Sequence, residues 1–299
     1  MAKINENNNK FRWIYIVGFF ITLALPLLNL PPWFDPPDWG KTIVFRSILA
    51  ILFFLFIWQF LYRRNQISLP NIKNNEIIWA LISLFTVFLL ACIFSVDPHF
   101  SFWGSPYRGG GFITFAFYFL FALLSFILFK KEDWKKAWIL SIFIGILVSL
   151  IAIIQFYGLL NNIFISVGSR PGSTIGNPIF LGIYLLLLFL PTLSFFIKEK
   201  TPWLKIFFGG SLLLFLYVII ITGSRSAYLG IAMGLLYFFL FYPKKFKAIK
   251  ILATAFILFV GLTILYISIQ THFPQTFEQN RIFTILHQRL SIKFAFSDE

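Results

Sequence analysis

Three arginines set among glycine and serine are the residues of this chain best suited to chemistry. They are Arg108 in GSPYRGGG, Arg170 in GSRPGS and Arg225 in TGSRSA. A guanidinium presents a planar fork that matches phosphate oxygens bidentately, whereas lysine is a point charge. Glycine and serine let backbone N–H groups approach the same anion closely. The chemistry indicated is recognition of a phosphate-type anion, with Ser173, Thr174, Asn177 and Ser224 beside the arginines in supporting positions. Taken singly, an arginine at the end of an apolar segment is more often an interfacial anchor than a ligand-binding group.

Other reactive groups are sparse. Arg46 falls inside an apolar run, where a cation can snorkel to the interface. Asp35 and Asp38 in DPPD pair two carboxylates, but the prolines and nearby Trp33 and Trp39 read as an interfacial turn, and Asp side chains alone do not make a metal site. No metal and no cofactor is expected. His99 reads as a surface loop residue, and His272 and His287 as solvated residues of a tail. The single cysteine, Cys92, permits no internal disulfide. Ser226, Gly230 and Gly234 would share one face of a helix, a pattern for close helix packing.

The elements that must position these residues are membrane-spanning helices. Of 299 residues, 59% are hydrophobic and 42 are phenylalanine, whereas a soluble domain is about 45–50% apolar. A span needs about 20 apolar residues. Nine segments qualify: 11–30, 42–62, 77–96, 111–129, 137–157, 178–197, 203–222, 226–242 and 249–269. Backbone groups must be satisfied internally in lipid, so these runs are helices. The expected fold class is therefore an all-α polytopic membrane protein of about nine transmembrane helices. It has a cytoplasmic N-terminus at 1–10, a bundle over 11–269, and the start of an extracytoplasmic loop at 270–299.

Charge sets the orientation. The net charge of +14 comes mostly from clusters at 3–12, 63–73, 130–136, 198–205 and 244–250, all on one side of the alternating spans. That is the positive-inside pattern, and it makes a nucleic-acid partner unnecessary. Arg108, Arg170 and Arg225 fall on the opposite, outer side, each before the start of an even-numbered span. Helix N-termini carry unpaired N–H groups and the positive end of the dipole, so each is a natural anion site. Asn177 is a candidate N-cap with Pro178 in the first turn. None of the 11 acidic residues falls inside a span, which disfavours proton- and sodium-coupled transport.

Three stretches carry a family resemblance. FSVDPHFSFWGSPYRGGGFITFAFYF (94–119), RPGSTIGNPIFLGIYLLLLFLP (170–191) and TGSRSAYLGIAMGLL (222–236) resemble, in order and spacing, segments of the O-antigen ligase and O-antigen polymerase-like superfamily. Arg170 and Arg225 match that family's motif arginines and Arg108 its loop arginine. The run NPIF stands where NPN followed by an aromatic residue is commoner.

The resemblance implies a metal-independent glycosyltransferase of the cytoplasmic (inner) membrane. It would move a glycan from a polyprenyl diphosphate, such as undecaprenyl diphosphate, to a glycan, lipid or protein acceptor, with arginines holding the diphosphate. It also implies a catalytic histidine in a long outer loop. Neither His272 nor His287 sits in that motif, so no catalytic residue is assigned, and the chain is expected to be the N-terminal part of such an enzyme. A lipid-linked-saccharide flippase and a non-catalytic diphosphate-lipid binder are the alternatives.

Overall fold

The computed structural model describes residues 8–28, 37–62, 75–105, 110–159 and 170–241, together with Thr254. Among the described residues every regular element is helical. In chain order these are α1 (Asn8–Ala24), α2 (Pro37–Tyr62), α3 (Glu76–Ile93), α4 (Pro98–Trp103), α5 (Phe112–Leu128), α6 (Lys131–Phe156), α7 (Pro178–Lys198), α8 (Pro202–Thr222) and α9 (Arg225–Phe241). Five stretches are long and apolar enough to cross a membrane: Gly40–Tyr62, Glu76–Ile93, Lys131–Phe156, Pro178–Lys198 and Pro202–Thr222. The apolar stretches Phe11–Leu27 and Phe112–Leu128 are shorter, and α9 has 17 residues. The ninth expected span, 249–269, lies outside the described residues except for Thr254, and the tail from 270 lies wholly outside them.

The boundaries differ from expectation where local chemistry overrides hydropathy. The first helix stops at Ala24, and a 3-10 turn, Leu25–Leu27, follows with Pro26 inside it. Proline has no N–H to donate and its ring clashes with the preceding turn, so the apolar run does not continue as one helix. α6 begins at Lys131, well before the apolar run, with Glu132 and Asp133 in its first turn. Carboxylates there complement the helix dipole. Asp133 also accepts the backbone N–H of Lys130 at 2.8 Å.

The chain divides into two compact units at Ile144 and Gly145, within α6. In the first, Tyr15, Phe19, Leu49, Leu52 and Leu124 form a buried cluster drawn from α1, α2 and α5. A Cβ on Gly18 would stand 2.8 Å from a Leu52 methyl, so α1 and α2 approach closely at this glycine. The Tyr15 hydroxyl donates to Gln59 Oε1 at 3.0 Å between the same two helices. Arg12 pairs with Asp133, which is 3% exposed. Arg46 donates to the Thr114 hydroxyl on α5, so it is held by a neighbouring helix and does not simply snorkel. Asp38 falls in the first turn of α2, which Pro37 opens, and not in a free-standing turn. His99 is exposed, as expected, but belongs to α4, which Asp97 caps by accepting the Phe100 N–H at 2.9 Å. Cys92 is buried at the end of α3.

In the second unit, α7 packs on α8 and α9. Three residues, Glu199 to Thr201, join α7 to α8, and two, Gly223 and Ser224, join α8 to α9. Connections this short make consecutive helices antiparallel neighbours. Leu181, Leu185, Phe215, Val218 and Ile219 are fully buried in this packing. Small residues again set the approach. A Cβ on Gly182 would stand 3.0 Å from Ser224 Cβ and 3.1 Å from Ala227 Cβ. One on Gly145 would meet Leu188 at 2.5 Å and Phe215 at 3.0 Å. As expected, Gly230 and Gly234 lie against a neighbour, facing Leu186 and Leu190 of α7. Ser226 does not share that role: it is exposed, and its hydroxyl lies 3.0 Å from that of Ser224.

Candidate functional site

The site is built at one end of the second unit, where the end of α6, the starts of α7 and α9 and the end of α8 meet. α6 terminates at Gly158, whose φ of 68° is left-handed. The N–H of Gly158 bonds the Gln155 carbonyl at 3.2 Å and that of Leu159 bonds the Ile154 carbonyl at 2.9 Å. This is the paired pattern of a Schellman cap, and glycine enters it without steric cost.

The Arg170–Asn177 stretch returns to the bundle as a closed loop. The Gly176 N–H donates to the Gly172 carbonyl at 3.0 Å, and Gly176 has a φ of 85°. A Cβ on Gly172 would lie 2.7 Å from the Gly176 carbonyl carbon, so the closure requires glycine there. Inside it, residues 173–175 form one 3-10 turn with Ser173 and Thr174 buried. Ser173 has a φ of 53° and is the one non-glycine residue with positive φ among the described residues. That conformation costs an L-residue roughly 1–2 kcal/mol. Three hydrogen bonds offset it: Ser173 N–H to Gln155 Oε1 at 2.6 Å, Gln155 Nε2 to the Ser173 carbonyl at 3.4 Å, and Ser173 Oγ to the Val148 carbonyl at 2.6 Å.

From this loop the chain enters α7 as the sequence indicated. Asn177 is extended, its Oδ1 accepts the Ile179 N–H at 2.8 Å, and Pro178 takes the first helical position. A cap of this kind contributes about 1 kcal/mol. The side chains of Ser173 and Asn177 therefore serve the loop and the helix start. Ser224, 2% exposed, precedes α9, and its carbonyl accepts the Tyr228 N–H at 3.1 Å.

The last carbonyls of a helix such as α8 have no backbone N–H partners within it. Here Ile219 accepts the Thr222 hydroxyl at 2.7 Å, and Ile220 accepts both the Gly223 N–H at 3.1 Å and the Tyr228 hydroxyl at 2.7 Å. Thr222 accepts Arg170 Nη1 at 3.3 Å. Arg170, half-buried, thus reaches the negative end of the α8 dipole, a favourable place for a cation. Gly223, with a φ of 61°, then turns the chain so that Arg225 opens α9 and is exposed. Arg225 lies within the first turn of its helix and not before it.

Of the seven residues singled out by sequence, six fall in this one region: Arg170, Ser173, Thr174, Asn177, Ser224 and Arg225. Arg108 lies outside the described residues, as do Asp35, His272 and His287. Sequence reasoning missed Gln155, Thr222 and Tyr228. The available signal for Gln155 was an amide standing alone near the end of the apolar run SLIAIIQF (149–156). Thr222 acts through its backbone, which no side-chain pattern reports. Among the described residues, no three of His, Cys, Asp and Glu lie together as a metal site would require.

The family model described as O-Antigen ligase matches residues 210–292. The match runs from α8 through α9 and beyond, taking in Ser224 and Arg225, and Arg170 lies outside it. No curated protein and no solved structure matches the chain. The match bears out the resemblance to the O-antigen ligase-like superfamily. Together with the apolar helices it indicates a multi-pass membrane protein, and the match over 210–292 supports, in general, a part in O-antigen ligase-like cell-surface polysaccharide assembly.

Proposed function

We propose that this chain handles a polyprenyl-diphosphate-linked glycan at the outer face of the cytoplasmic membrane, in the manner of an O-antigen ligase or polymerase. Arg170 and Arg225 clamp the diphosphate and Arg108 assists. The observation that carries the reading is the bond from Arg170 to the Thr222 carbonyl, which ties one motif arginine to the turn from which the other emerges. Transfer breaks the bond between the sugar's anomeric carbon and the diphosphate oxygen while the acceptor's oxygen or nitrogen bonds that carbon and gives up its proton to a general base. Negative charge grows on the leaving diphosphate, and fixed guanidiniums and the N-terminal ends of α7 and α9 stabilise it as it develops.

The orientation behind this reading, N-terminus inside and these helix ends outside, rests on the lysine and arginine distribution between spans. Equilibrium binding of undecaprenyl diphosphate to the chain in lipid nanodiscs, compared with Arg170→Ala and Arg225→Ala, tests the proposal. Loss of binding in both supports it, and undiminished binding in both would refute it.

A further inference from the structure

We propose that Gln155 is the positioning residue for the loop that presents Arg170, so that anion binding at that arginine depends on the Gln155 amide; this rests on the reading of Arg170 given above. Gln155 sits in the last turn of α6 and is 5% exposed. The Schellman cap at Gly158 uses its backbone carbonyl, which leaves the side chain unneeded for ending the helix. Both ends of the amide engage one residue 18 positions away, Ser173, at 2.6 Å and 3.4 Å.

The target of this grip matters. Ser173 is the non-glycine residue held at a left-handed φ of 53°, and the loop's own closure, from Gly176 N–H to the Gly172 carbonyl, passes around it without bonding it. Ser173 is bonded to α6 three times: twice to the Gln155 amide and once from its hydroxyl to the Val148 carbonyl. Arg170 lies three residues upstream, and Asn177, which caps α7, lies four downstream. Releasing Ser173 would let the loop relax toward an ordinary conformation and carry both ends with it. A guanidinium fork recognises phosphate by geometry, so a displacement on the order of 1 Å is enough to weaken it greatly.

The test uses the 299-residue chain in nanodiscs with undecaprenyl diphosphate as probe. Gln155→Met keeps length and volume but removes both hydrogen bonds. It should weaken binding by about tenfold or more, and it should lower thermal stability measurably while the chain stays folded, because two buried hydrogen bonds are lost. A local readout needs no ligand: in a Cys92→Ser background, Ile175→Cys should react faster with maleimide when Gln155→Met is added. Val96→Cys, in the other unit, should react at an unchanged rate.

If Arg170→Ala loses the probe while Gln155→Met binds like the parent, the positioning role is overturned and the reading of Arg170 survives. If Ile175→Cys labelling is unmoved by Gln155→Met, the amide is a packing element and the proposal fails. If Arg170→Ala binds like the parent, the reading of Arg170 falls and this proposal falls with it.

Discussion

Arg170 Nη1 donates to the carbonyl oxygen of Thr222 at 3.3 Å, joining residues 52 positions apart. Thr222 is the last residue of α8, and Arg225 opens α9 three positions later. Two arginines remote in sequence are thus brought to one turn. The contact places a cation at a helix C-terminus, where it is worth roughly 0.3–1 kcal/mol and up to about 2 when partly buried. The same guanidinium is the proposed ligand for phosphate, so its two roles need separate measurements.

Arg170→Lys separates them. Lysine keeps a cation and a donor for the α8 terminus, so thermal stability should stay close to that of the parent. It lacks the fork, so binding of the diphosphate lipid should fall by about tenfold or more. Arg170→Ala should lose both, with stability down by about 1 kcal/mol. Equal binding by the lysine variant would reduce Arg170 to a point charge.

Gly223 is predicted to be the least replaceable residue of the α8–α9 turn. Its φ of 61° is left-handed, so Gly223→Ala should cost about 1–2 kcal/mol in detergent unfolding. It should also weaken lipid binding, because this turn sets where Arg225 emerges. A variant with the parent's melting temperature would show that the turn adopts another conformation freely.

Gly182→Leu should be destabilising by about 1–3 kcal/mol through overpacking. The added Cβ alone would stand 3.0 Å and 3.1 Å from the Cβ atoms of Ser224 and Ala227. Gly182→Ala asks the neighbours to give by only a few tenths of an ångström, and its effect should be much smaller. Thermal unfolding of the two variants side by side checks the order.

In the first unit, Arg12 and Asp133 form an ion pair in which the Asp133 side chain is 5% exposed. Asp133→Leu strands the arginine and should cost about 3–5 kcal/mol, whereas Arg12→Met with Asp133→Leu should recover most of it. A double variant as unstable as the single one would mean that Asp133 matters through its bond to the Lys130 N–H and not through the pair.

Much of this was legible in the sequence. The helical class follows from apolar runs that only helices can satisfy in lipid, and α7 begins at Pro178 behind an Asn177 cap as the dipeptide announces. Capping and proline chemistry are local, so they can be read locally. Hydropathy misplaced α6, whose charged first turn is stabilised by the dipole and not by burial, and it carried α1 through Pro26. Gln155 and Thr222 escaped notice because their parts in the site depend on which helix ends meet. Arg225 drew attention correctly, but its place inside the first turn of α9 depends on the left-handed Gly223.

The most direct measurement is equilibrium binding of undecaprenyl diphosphate to the 299-residue chain in nanodiscs, for the parent, Arg170→Ala and Arg225→Ala, with undecaprenol as the uncharged control. The account predicts that the parent prefers the diphosphate over the alcohol and that each variant loses about tenfold or more of that preference while remaining folded. A parent that binds both lipids equally, or variants that keep the preference, would contradict it.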